Sequence, residues 1–163
     1  MDQHLRPEGP TVAPDMSYTN LKYHVIFSTK QRRPFIESAL LPRLQEYVGG
    51  IIRDLGGKLL EANGPQDHIH LCVQARPTIA ISDLVGKSKA NSSGWVHRTF
   101  PHLRDFAWQD GYAAFTVAQS GLCILSKYIH SQQEHHKKQT FQEELIALLK
   151  LHGIDYDERY VFV

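Results

Sequence analysis

From Tyr18 onward, short runs of β-branched and aromatic residues alternate with longer stretches whose apolar positions fall three and four apart. The segment YTNLKYHVIFST (18–29) carries Tyr23, Val25, Ile26 and Phe27 and reads as a strand, which Pro34 stops from continuing past the basic loop KQRRP. Between Ser38 and Leu55, Leu40, Leu41, Leu44, Tyr47, Val48, Ile51 and Ile52 recur at helical spacing, and Gly56-Gly57 supplies the stop. KLLEANG (58–64) predicts a short strand, Gly64-Pro65 a turn, and HIHLCVQA (68–75) a further strand. A helix is expected from Asp83 to Phe100, with small residues mid-way along its stripe and Pro101 as its boundary. GYAAFTVA (111–118) is strand-like. Ser120 stands as the N-cap of a helix from Leu122 to about His136. Thr140 with Glu143 three places on forms a capping-box pattern ahead of a helix from Phe141 to Leu151.

The order β-α-β-β-α-β followed by two helices is that of the split βαβ, an α+β ferredoxin-like (RRM-like) fold with an antiparallel sheet. In that fold helices cover one sheet face and leave the other for a ligand, a nucleic acid or another subunit. Phe106, Trp108, Tyr112 and Phe115 are expected to supply core area around the fourth strand.

Composition changes this picture little. The chain has 163 residues, enough for one core, with 18 Lys+Arg against 17 Asp+Glu, so any nucleic-acid contact must come from a local patch. Two cysteines without zinc spacing suit a reducing compartment, and no apolar run reaches the ~20 residues that span a bilayer. Residues 1–17 hold three prolines and no apolar h-region, so they read as a disordered leader rather than a signal peptide, ahead of one domain over 18–163. A cytoplasmic protein is expected. Five of its ten histidines cluster in DHIH, YIHSQ and EHHKK.

Alternation along the strand 68–75 puts Ile69, Leu71, Val73 and Ala75 on one face and His68, His70, Cys72 and Gln74 on the other. Same-face neighbours lie about 7 Å apart, from which two imidazoles can converge on one ion at about 2.1 Å each. Cys72, about 13 Å from His68, is too far to share it. Two readings stay open on spacing alone: a half-built metal site, or two histidines facing water. A third ligand would have to come from elsewhere. The helix LCILSKYIHSQQEHHKKQ (122–139) places Tyr128 and Gln132 one turn apart, able to offer a nucleophile and a ligand to one place or equally to stand as a rim aromatic and a solvated amide. EHHKK reads as a solvated cationic helix end. A tyrosine nucleophile suits reversible phosphoryl transfer, because a phosphotyrosine conserves the energy of the cleaved diester.

Five segments in this order, YHVIFSTKQRRP, DHIH, LVGKSKANSSGWV, FAWQDGYAAFTV and YIHSQQEHHKKQTFQEE, resemble the single-tyrosine HUH transposases of small bacterial insertion sequences and the related repeat-associated tyrosine transposases. The likeness runs from about Tyr18 to Phe162. It implies that His68 and His70, the two histidines of His-hydrophobe-His, bind a divalent ion (Mg²⁺ or Mn²⁺), that Gln132 is the third ligand, and that Tyr128 is the nucleophile. It further implies a homodimer that cuts and rejoins single-stranded DNA at hairpin-bearing ends through a 5′-phosphotyrosine. In well-known members the tyrosine helix of one subunit completes the histidine site of the other.

Lys30, Arg32 and Arg33 after the first strand, and Lys87 and Lys89 on the second long helix, are the expected DNA-phosphate contacts; their plain alternative is a solvated surface. Two rival functions follow from the same residues. A non-catalytic hairpin-binding protein would keep the fold without cleavage, and a metal phosphoesterase acting through water would form no covalent intermediate.

Overall fold

The computed structural model describes residues 18–162, so the expected leader over 1–17 lies outside the described residues. Four antiparallel strands, β1 (Leu21–Ser28), β2 (Lys58–Asn63), β3 (His68–Ala75) and β4 (Ala113–Thr116), form one sheet in the order β2-β3-β1-β4. This is the ferredoxin-like order, with β1 and β3 central. β1 pairs with both β3 and β4, most of its residues are buried, and the register sets Ile26 opposite His70 and Ser28 opposite His68.

Helices α1 (Leu40–Asp54) and α2 (Ile81–Thr99) cover one face. The expected stripe Leu40, Leu41, Leu44, Val48 and Ile52 is the buried side of α1, and it packs with Leu84, Val85 and Val96 of α2 on Val25, Phe27, Ile69, Leu71 and Val73. The small residues in α2 have a polar reason as well as a steric one. Ser88 donates to the Leu84 carbonyl and Ser92 accepts from the Trp108 indole at 2.9 Å, so both buried hydroxyls are satisfied. Phe106, Trp108 and Phe115 are buried as expected, but Tyr112 is 41% exposed: it precedes β4, on the turn that Gly111 makes.

Gly56 and Gly64 are sterically required. Gly56 closes α1 at φ +77°, and a Cβ on Gly64 would sit 2.2 Å from the His68 carbonyl oxygen, which belongs to backbone and cannot yield. The turn into β3 is therefore tight by necessity.

The opposite sheet face is not left free. Helix α3 (Leu122–His130), the single turn α4 (Gln132–His135) and α5 (Phe141–Leu151) lie over it, and Ile26 and Phe115 pack there against Leu145 and Leu149. The polar face of β3 is consequently interior: His68, His70 and Cys72 have no exposed surface. The expected helix from 122 to about 136 breaks at Ser131, whose φ/ψ of −92°/12° is not helical. Its start is capped by Gly121 without a side-chain bond, so Ser120 is not the N-cap. The capping box of Thr140 and Glu143 is present in both directions. Among the described residues no helix is long and apolar enough to cross a membrane.

Candidate active site

Asp67 anchors the entry to β3: its carbonyl accepts the Thr29 amide at 2.8 Å and the Thr29 hydroxyl at 3.1 Å, fixing β3 against the end of β1. Its carboxylate accepts from His68 Nδ1 at 2.7 Å. That bond holds the proton on Nδ1 and turns Nε2 inward as a lone pair, the arrangement commonly found behind a metal-binding histidine. His70 is held similarly, its Nδ1 lying 2.9 Å from Nε2 of His24 on the neighbouring strand, with the two rings stacked. The His68 and His70 ring centroids are 5.1 Å apart, closer than their strand spacing, so the imidazoles converge.

Converging on the same point from the other side is Glu144 of α5, a carboxylate only 4% exposed. Its Oε2 lies 2.8 Å from His136 Nε2 and 3.5 Å from Nε2 of both His68 and His70. Its Oε1 accepts from the Tyr128 hydroxyl and, at 2.9 Å, from Gln132 Nε2. Tyr128 and Gln132 thus reach one carboxylate, although the break at Ser131 means that no continuous helix stacks them. His68, His70, His136 and Glu144 offer ligand atoms all within 4.8 Å of one another, a cluster compatible with a metal ion.

The electrostatics follow from burial and from this carboxylate. Burial pulls the His70 pKa down to about 4, against the opposing pull of Glu144, and burial with His70 nearby pulls His24 down to about 3. For His68 burial also pulls down, but its bond to Asp67 and the nearby Glu144 carboxylate outweigh it and the net direction is up. Burial alone would raise Glu144; His136, His68 and His70 instead hold it well below the carboxylate range. Tyr128 is pushed above the ordinary phenol range, by burial first and then by its bond to Glu144.

A cation fits these residues on a test independent of any family. Among the described residues three buried side-chain atoms have no hydrogen-bond partner: His68 Nε2, His70 Nε2 and Gln132 Oε1. A buried acceptor without a donor is costly, and a cation between the two imidazoles would satisfy theirs. Cys72, buried and with its thiol pKa raised by burial, stays outside the cluster as its strand position requires.

Two cavities open on this centre. A cleft of about 1080 Å³ is bordered by Asp67 and His136 together with Arg32, Lys137, Lys138 and Thr140. A second, more apolar, of about 540 Å³, is bordered by Tyr128, Glu144, His24, Phe115 and Leu125. Arg32 enters the first from a turn in which Gln31 (φ 56°) and Arg32 (φ 53°) are both left-handed, a conformation uncommon outside glycine and held here by the Gln31 amide bonding Gln109 Oε1. The other expected phosphate contacts are not gathered there. Lys30 and Lys87 are exposed, and Arg33 stacks on Phe35 and faces Asp105 at 3.9 Å. Lys89 donates to the carbonyls of Gln109 and Gly111, pinning the loop before β4.

His136 and Glu144 are the site residues that sequence reasoning passed over. EHHKK reads as a solvated end only while α4 is taken as a free helix terminus. Glu144 carried a visible signal, for it falls three residues after Phe141 and four before Leu148, on the stripe that also holds Leu145 and Leu149. A carboxylate on an apolar stripe needs a buried partner.

Comparison with known proteins places these residues in context. The family described as "Transposase IS200 like" matches residues 17–132. The transposase for insertion sequence element IS200 from Salmonella typhimurium is 33% identical over 128 residues, covering 72% of this chain and 80% of that protein. The ISDra2 transposase TnpA of Deinococcus radiodurans is 27% identical over 119 residues, covering 70% and 85%. Among solved structures, a candidate transposase from Deinococcus radiodurans R1 superposes with a TM-score of 0.61 at 26% identity, over 74% of this chain and 96% of that one. The REP-associated tyrosine transposase bound to a REP hairpin shares the fold, at a TM-score of 0.56 and 14% identity over 83% and 74%.

Proposed function

The chain belongs to the IS200-like transposase family, and from that premise we propose that it cleaves and rejoins single-stranded DNA at hairpin-bearing ends with Tyr128 as nucleophile. The observation that carries this reading is the meeting of Tyr128 with His68 and His70 around one buried carboxylate. The tyrosine oxygen would attack the scissile phosphorus and displace the 3′-oxygen, forming a 5′-phosphotyrosine. The phenol gives up its proton and the departing oxygen gains one, so no nucleotide cofactor is consumed, and a 3′-hydroxyl attacking the phosphotyrosine reverses the step.

His68 and His70 through Nε2, with Gln132 through Oε1, would hold a divalent cation, as their unpartnered buried atoms support. Such a cation supplies charge neutralisation at the phosphate; imidazole donors suit Mn²⁺ better than Mg²⁺. Asp67 and His24 keep the two imidazoles turned inward. Arg32 at the cleft, and separately the surface residues Lys30, Arg33 and Lys87 and the remaining N–H of Lys89, would neutralise DNA phosphates. The REP hairpin bound by the structural relative supports hairpin DNA as the partner. We take a homodimer as the working assembly and the cytoplasm as the compartment.

The test is incubation of purified protein with single-stranded hairpin DNA and Mn²⁺ or Mg²⁺. A covalent protein–DNA adduct is expected, and Tyr128→Phe should abolish it. An equal adduct from that variant would overturn the assignment. Hairpin binding that survives Tyr128→Phe and His68→Ala with no cleavage would identify a binding protein instead, and turnover without an adduct a phosphoesterase acting through water.

A further inference from the structure

Glu144 is a charged residue on the buried side of a helix, and among the described residues its ion-pair partners are histidines rather than Lys or Arg. A buried carboxylate needs a compensating positive charge, and the groups around Oε2 are three imidazole nitrogens. Two of those nitrogens have no hydrogen-bond partner at all. The arrangement has the form of a coordination shell. Two ligands of one ion lie at most about 4.2 Å apart, twice a 2.1 Å bond, so atoms already within 4.8 Å need to close by only about half an ångström.

Resting on the cation site proposed above, we propose that Glu144 and His136 are themselves ligands of that cation, and that Glu144 ties it to the nucleophile. Oε2 faces the imidazoles while Oε1 holds the Tyr128 hydroxyl, so a single carboxylate fixes the tyrosine oxygen beside the ion. The family match ends at residue 132, before either of these ligands. The C-terminal segment from α4 to α5 therefore closes the site rather than merely covering the sheet. The donor set also sets the metal. Three imidazoles with the Gln132 amide oxygen and the Glu144 carboxylate favour Mn²⁺ and other transition ions over Mg²⁺, which prefers an oxygen shell that retains water.

Calorimetric titration of the full chain with Mn²⁺ and with Mg²⁺ tests this without reference to catalysis. One Mn²⁺ per chain is expected, bound more tightly than Mg²⁺. Glu144→Gln and His136→Ala should each weaken Mn²⁺ at least about tenfold, the scale seen even for partners behind the ligands. Glu144→Asp, which keeps the carboxylate, should recover part of the loss. His136 is slightly exposed, so its variant guards against misfolding of the Glu144 changes. Wild-type affinity in both Glu144→Gln and His136→Ala, with binding lost in His68→Ala, would overturn this inference and leave the histidine site standing. Binding indifferent to His68→Ala, or absent from the wild type, would overturn both.

Discussion

A metal-ligating histidine almost always has its second nitrogen committed, and Asp67 commits that of His68 at 2.7 Å, as the proposed ligand role requires. The bond fixes tautomer and ring angle together. Asp67→Asn keeps the shape but removes the charge that favours a proton on Nδ1. Its Mn²⁺ affinity should fall about 10- to 100-fold. Because the Asp67 side chain is partly exposed, its thermal stability should change little. Parallel calorimetry and thermal unfolding separate the two effects; unchanged affinity would show that β3 alone orients His68. His24 has the same job for His70 from the adjacent strand, a pairing that depends on strand order.

At the level of elements, the placement of Glu144 depends on how α5 begins. Thr140 accepts the Glu143 amide while Glu143 returns bonds to the Thr140 amide and hydroxyl, both at 2.9 Å. One residue further on, the helix turns about 100° and Glu144 points inward. Thr140→Ala removes half of the box and should cost about 1 kcal/mol. For a domain of this size that is a fall in melting temperature of about 2 to 4 °C. A differential scanning measurement showing no shift would mean that packing of Leu145 and Leu149 fixes α5 without the cap. The break at Ser131 is the other local decision, since it redirects the chain between α3 and α4, after which His136 lies 2.8 Å from Glu144.

Across the whole molecule, one chain brings Tyr128 to its own histidines, with ring centroids of Tyr128 and His70 5.9 Å apart. In the well-known relatives implied by the sequence resemblance, the tyrosine helix is exchanged between subunits. The two arrangements give opposite results when inactive variants are mixed. With Tyr128→Phe and His68→Ala combined, an exchanged helix would rebuild one intact site per mixed dimer. Assembly within the chain should leave adduct formation at the level of either variant alone, measured on the same hairpin DNA.

The alternation in HIHLCVQA was enough to put His68 and His70 together and to exclude Cys72, because a strand has a period of two whatever surrounds it. Helical spacing found α1, α2 and α5, and the resemblance carried by five local segments pointed to the family. Such features depend on residues near one another in the chain. Whether the histidine face met water was not among them. That depended on α3, α4 and α5 folding back over the sheet, as did the identity of the carboxylate at its centre. Glu144 follows His70 by more than seventy positions and reaches it only through the packing of Leu145 and Leu149 on Ile26 and Phe115. Local pattern determined which side chains share a face; tertiary packing decided what faces them, because a buried charge is defined by its surroundings and these come from distant parts of the chain.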